Sequence, residues 1–94
     1  MVTPVAVKHG MTYDGATVNV YHADKGKGIP KHIHTYSHAV ICATGSCKLT
    51  QEGNSVIATK DSEPVDLLGG KYHEIEAMED GTVFLTVFNE DKQN

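Results

Sequence analysis

Short runs rich in Val, Ile, Thr and Tyr alternate along this chain with glycine-centred breaks. The breaks fall at Tyr13-Asp14-Gly15, Gly26-Lys27-Gly28, Thr44-Gly45, Glu52-Gly53-Asn54, Gly69-Gly70 and Glu79-Asp80-Gly81. Runs of this length and spacing predict β-strands in a sandwich or barrel, and no window sustains a capped helical period. The predicted strands cover 5–8, 17–22, 30–35, 38–43, 47–51, 56–59, 65–68, 72–77 and 82–89.

Alternation assigns faces, because side chains two apart on a strand point the same way. In 38–43, His38, Val40 and Cys42 share one face, and Ala39, Ile41 and Ala43 the other. In 82–89, Phe84, Thr86 and Phe88 oppose Val83, Leu85 and Val87. Both faces of that strand are therefore apolar, and only one can line an interior. Thr44-Gly45 reads as a tight hairpin turn placing Cys42 opposite Cys47.

The 94 residues amount to one domain. The expected architecture is all-β, a small single-domain β-barrel with its core over about 16–89, an N-terminal strand within 3–8 and a polar tail, 90–94, that frays. A net charge of −4 gives no basic footprint for nucleic acid or an anionic membrane. Met1-Val2-Thr3-Pro4-Val5 lacks the features of a signal peptide, and no apolar stretch is long enough to span a bilayer, so a cytoplasmic address is expected. Two cysteines, Cys42 and Cys47, are too few for a disulfide scaffold. They are read as inward barrel residues in preference to a redox pair or extra metal ligands.

Histidine is the unusual component: there are six, four of them between His32 and His73. On a continuous strand His32 and His34 share a face about 6–7 Å apart. His38 joins them if the chain turns at Tyr36-Ser37, and His73 arrives from a distant strand after Gly69-Gly70. Imidazoles suit transition ions better than Mg or Ca. An isolated H-x-H pair carries little weight, but bracketing glycines and two further histidines strengthen it.

The stretch from Gly26 through His32, His34 and His38 to Gly45 resembles the first motif of the cupin family, G-x5-H-x-H-x3/4-E-x6-G. His38 stands at the glutamate position. The second motif, G-x5-P-x-G-x2-H-x3-N, is matched at Gly70 and His73, while Ser62, Leu68 and Ala77 occupy its other marked positions. The resemblance implies a double-stranded β-helix, jelly-roll-like barrel holding one divalent transition ion (Zn, Ni, Fe, Cu or Mn) on His32, His34 and His73. His38 is either a fourth ligand, the preferred reading because it shares the inner face of its strand, or a base beside the ion.

Tyr36 lies at the expected mouth, as a substrate contact or as packing. Tyr72, Glu74 and Glu76 should face outward, and His9 and His22 should be solvated. The functional expectation is a metal-dependent enzyme, of dioxygenase, isomerase or lyase type, acting on a small anionic or chelating organic molecule. The alternative is a non-catalytic small-molecule or sugar-binding module, favoured by the lack of an inward Glu, Asp or Lys near the histidines. Val83, Leu85 and Val87 lead to the further expectation of a homodimer.

Overall fold

A computed structural model describes residues 2–33 and 35–89. Its ten strands are β1 (Thr3–Pro4), β2 (His9–Tyr13), β3 (Ala16–Ala23), β4 (Lys27–His32), β5 (His38–Thr44), β6 (Ser46–Gln51), β7 (Asn54–Thr59), β8 (Val65–Leu67), β9 (His73–Ala77) and β10 (Thr82–Asn89). They form two five-stranded sheets, β1-β4-β9-β6-β7 and β2-β3-β10-β5-β8, packed face to face. No helix among the described residues is long and apolar enough to cross a membrane.

The inner faces follow the alternation. Val40 and Cys42 from β5, Cys47 and Leu49 from β6, Ile75 and Ala77 from β9 and Phe84 from β10 fill one core. Phe84 is fully buried, and the Tyr21 ring stacks on it with centroids 4.9 Å apart. Burying groups of this size is worth about 1.5–3 kcal/mol each, so this inner layer holds the two sheets together.

Three sequence expectations are corrected. Thr44-Gly45 is not a hairpin: β5 and β6 lie in different sheets, and Gly45 makes the corner between them. Its φ of +79° lies in the left-handed region, and a Cβ there would meet Thr82 Oγ1 at 2.5 Å. The expected strand at 5–8 is instead a crossing. Val5 N–H donates to the Gly28 carbonyl of the first sheet, and Lys8 N–H to the Val20 carbonyl of the second. β2 then pairs antiparallel with β3, although His9-Gly10-Met11-Thr12-Tyr13 has no apolar alternation to announce a strand. Lastly, β4 ends at His32, where the expected strand ran to 35. Its pairing with β9 is irregular between Ile29 and His32, a span containing Pro30, which has no N–H to offer a ladder. The tail 90–94 and His34 lie outside the described residues.

The corner yields a test. Gly81 also has positive φ, +72°, but nothing lies within 4 Å of the position of its Cβ. Gly81→Ala should therefore cost only backbone strain, about 1 kcal/mol, whereas Gly45→Ala adds overpacking against Thr82 and should cost about 2–4 kcal/mol. Urea denaturation of the two variants measures the difference, and equal losses would mean that Thr82 moves aside freely.

Candidate metal centre

Three strand termini bring three imidazoles together. β4 ends with His32 and β9 begins with His73, and the two are direct cross-strand partners. β5, in the opposite sheet, begins with His38. His73 and His38 are buried, at 1% and 6% exposure. The His73 Nε2 lies 3.1 Å from His32 Nε2 and 3.2 Å from His38 Nε2. The rings stand nearly perpendicular, at 80° in both pairs. The loop before β9 is anchored beside them: Gly69 N–H donates to Ser37 Oγ at 2.9 Å. A Cβ on Gly69 would meet the Thr35 carbonyl oxygen at 2.7 Å, so only glycine lets the two loops close on the site.

Proton arithmetic shows what the cluster fits. The Pro30 carbonyl, 2.7 Å from His32 Nδ1, can only accept, so Nδ1 carries the proton and the neutral ring aims its Nε2 lone pair at His73. A ring nitrogen holds one proton or one lone pair. If His73 Nε2 donates to His32 it presents no lone pair to His38; if it accepts from His38 it faces the lone pair of His32. One of the two close contacts therefore always lacks a shared proton between neutral rings. A cation accepting all three lone pairs removes the conflict. Metal–nitrogen distances near 2.0–2.1 Å imply edges between donors of about 2.8–3.4 Å, from right-angled to tetrahedral geometry, and the observed 3.1 and 3.2 Å fall within that span. The Pro30 carbonyl then plays the outer-sphere role that orients ligand imidazoles. Candidate ligand atoms of His32, His38 and His73 all lie within 4.8 Å of one another, so the three are positioned to hold a metal ion.

A cavity of about 140 Å³ adjoins this cluster, lined by Asn19, Tyr21, Ile29, His32, Tyr36, His38, Thr86 and Phe88. It meets a wider groove of about 620 Å³ that shares Tyr36, His38 and Phe88. Tyr36 thus stands where cavity and groove join, its ring 5.1 Å from Phe88. The sequence reading missed Asn19, Tyr21 and Thr86. Thr86 shares the face of Phe84 that alternation already marks as inward, whereas the inward parity of Asn19 and Tyr21 on β3 is visible only once Tyr21 is seen stacked on Phe84. Burial raises the Tyr21 hydroxyl above its ordinary pKa of 10.0, opposed in part by hydrogen bonding to Thr86 and Asn19, and the neighbouring Tyr36 raises it further. Tyr21 therefore stays a protonated donor. No Asp, Glu or Lys is among the described residues that line this cavity.

The remaining candidates lie elsewhere. Cys42 and Cys47 are buried in the core with sulfurs 3.9 Å apart, and burial, reinforced by Cys42, pushes the Cys47 thiol far up. Both are free thiols, and a thiol held protonated is a poor nucleophile. Glu74 and Glu76 alternate with the buried His73, Ile75 and Ala77 and so face outward. Tyr72 is exposed, with Lys31 Nζ 5.3 Å from its ring centre. His9 and His22 pack edge to face, centroids 6.3 Å apart, on the outside of the second sheet.

Comparison with solved structures shows which fold this is. A cupin 2 domain-containing protein from Halorhodospira halophila superimposes with a TM-score of 0.79 at 14% identity, over 92% of this chain and 64% of its own. An RmlC-like cupin from Shewanella frigidimarina gives 0.74 at 15% identity, over 86% and 72%. A conserved Klebsiella pneumoniae protein with a double-stranded β-helix domain gives 0.71 at 17% identity, over 95% and 77%. The chain has the cupin fold. No protein-family profile matches the sequence, and no curated protein matches it either. Within this fold the three imidazoles sit between the two sheets, beside the cavity.

Tyr21 and Cys47 give a pH dependence with a definite sign. Each holds its proton in the folded state beyond the pH at which the unfolded chain releases it. Their contribution to stability is complete below the unfolded values, about 8.5 for Cys and 10 for Tyr, and is lost as pH rises toward the folded values. The urea midpoint should fall between pH 8.5 and 11, and Tyr21→Phe combined with Cys47→Ala should flatten the fall. An unchanged slope in the double variant would assign the alkaline limb to other groups.

Proposed function

We propose that this cupin binds one divalent transition ion on His32, His38 and His73, joined by His34 from the motif spacing, and uses it to hold a small oxygen-bearing ligand in the adjoining cavity. The observation that carries this reading is the convergence of the His32 and His38 Nε2 atoms on His73 Nε2, a pattern that the protons of neutral rings do not satisfy. The donor set suits Zn, Ni, Fe, Cu or Mn. When bound, the ion supplies Lewis-acid polarisation of a ligand oxygen and acidifies bound water.

The chain's own groups define the ligand. The cavity's 140 Å³ is room for about five waters at roughly 30 Å³ each, so the ligand is compact or projects into the groove. All eight basic residues of the chain are lysines, and none lines the cavity. The charge of an anionic ligand is then met by the ion, while Tyr21 donates a hydrogen bond and Asn19 and Thr86 offer neutral polar contacts. A chelating hydroxy- or oxo-acid, enol or diketone fits these requirements. The reaction class is that of a dioxygenase, isomerase or lyase, with Tyr21 the group able to hold a proton over the ligand.

A second reading, a non-catalytic small-molecule or sugar-binding module, is favoured by the lack of any carboxylate or ammonium among the cavity residues. A cytoplasmic setting suits both readings, since the buried thiols of Cys42 and Cys47 are free and thiols stay reduced there.

Elemental analysis of protein purified without a histidine tag should find about one metal per chain, lost in His73→Ala, and chelation should lower the melting temperature by several degrees or more. A metal-free protein whose melting temperature ignores added Zn, Ni, Fe(II) and Mn would overturn the proposal. Turnover of a bound ligand separates enzyme from binding module.

A further inference from the structure

Two hairpins of this protein close with the same tight turn but with different residues in it. β2 and β3 are joined by Asp14-Gly15, and β6 and β7 by Glu52-Gly53. Successive φ angles are +53° and +85° in the first turn, and +48° and +86° in the second. Such a turn takes Asn, Asp or Gly at its first position, because a short polar side chain or none tolerates the left-handed backbone. Asp14 obeys that preference and Glu52 does not. A residue held in an unfavourable backbone region persists only where its surroundings over-determine it.

What surrounds Glu52 is the loop that delivers His73. The Glu52 N–H donates to the Tyr72 carbonyl at 3.0 Å, and the Tyr72 N–H donates to Glu52 Oε2 at 2.8 Å. Backbone and side chain of Glu52 thus grip the residue immediately before His73. Gln51, next to it, is the cross-strand partner of His73, so the two side chains share the inner face. Gln51 Oε1 accepts from the Leu68 N–H at 2.6 Å. Leu68 follows Leu67, and Leu67 is the cross-strand partner of His38 in the opposite sheet. The Gln51 bridge therefore runs from the partner of His73 to the residue after the partner of His38.

We infer that Gln51 and Glu52 are positioning residues for the histidine cluster, the β6–β7 turn acting as a clamp on the start of β9. Gln51 sets the spacing of His73 from His38 across the two sheets, and Glu52 fixes the backbone from which the His73 ring projects. The segment 68–72 belongs to no strand, so its position is set by what holds its amides. Gln51 holds the amide of Leu68 and Glu52 that of Tyr72. The carboxylate makes the stronger, charge-assisted kind of bond, and its reach accounts for a Glu where the turn alone would favour the shorter Asp. The neutral amide of Gln51 bridges the sheets without placing a charge beside the imidazoles. Ligands held by such outer supports bind a metal more tightly than ligands left to find their own place. The consequence for ion binding rests on the metal reading proposed above; the clamp itself belongs to the ion-free chain.

Glu52→Gly removes the carboxylate while relieving the turn, and Gln51→Leu removes the bridging acceptor at similar size. Zinc affinity, measured by competition with a chromophoric chelator, should fall about 10-fold in each variant, with the fold retained by circular dichroism. Either variant suffices if the other fails to fold. Glu52→Gln, which keeps an acceptor oxygen at the same reach, should recover most of the loss. Gly81→Ala, which strains a turn at the opposite end of β10 from the strand partners of β5 nearest His38, should leave affinity unchanged. In the ion-free protein, nuclear Overhauser contacts between the His38 and His73 rings should weaken in both clamp variants. Unchanged zinc affinity in a folded Glu52→Gly or Gln51→Leu variant, or an equal loss in Gly81→Ala, overturns the inference. A wild-type chain that binds no zinc counts against the metal reading instead, and the ion-free ring contacts then decide: if they survive in the variants, the clamp does not position His73.

Discussion

The position of His73 is the constraint on which the rest of the site depends. Its Nε2 is the common neighbour of the other two ring nitrogens, so the cluster exists only if β9 begins at the right height beside β4 and opposite β5. The β4–β9 pairing sets the first condition by placing His73 across from His32. The second is set by the depth of the core, since His38 reaches across from the other sheet. Phe84, Leu49 and Ile75 lie at the centre of that core and hold the two sheets at the separation that lets imidazoles on facing strands touch.

Close backbone approaches support the same geometry. A Cβ at Gly28 would collide with the Ile75 carbonyl oxygen, so glycine there allows β4 to lie tightly against β9 just before the histidine pair. The Gly69 contact with Thr35 does the equivalent for the loops that precede His38 and His73. Two glycines thus act through the ligand strands without touching a ligand, as close packing requires when small displacements decide whether donors converge.

The polar lining of the cavity divides the work in a manner consistent with its neutral character. The imidazoles present lone pairs, and the phenol of Tyr21 presents a proton that burial keeps in place. An ion on the former and a hydrogen bond from the latter would hold a ligand at two points of opposite electronic demand. Meanwhile the charged side chains Lys48, Glu74 and Glu76 remain on the outside of one sheet, leaving the other outer face to apolar residues.

Much of this was determined by the sequence alone. Glycine spacing and β-branched runs set the class as all-β, and the strand 82–89 was located residue for residue. Period-two parity put His38, Val40 and Cys42, and likewise Phe84 and Thr86, on inner faces, because that parity is a property of the extended chain itself. Histidine spacing and the motif resemblance singled out His32, His34, His38 and His73, of which the structure brings His32, His38 and His73 together. Tertiary structure decided what parity cannot express. The path from β5 to β6 is a sheet change at Gly45 where the local sequence reads as a hairpin, since a tight glycine turn looks the same whether the next strand pairs back or crosses over. β2 exists because β3 offers it an edge, although its own residues have little strand pattern. Tyr21, Asn19 and Thr86 became cavity residues only when strands distant in sequence were brought together, since a cavity is a relation between strands that no single strand's alternation contains.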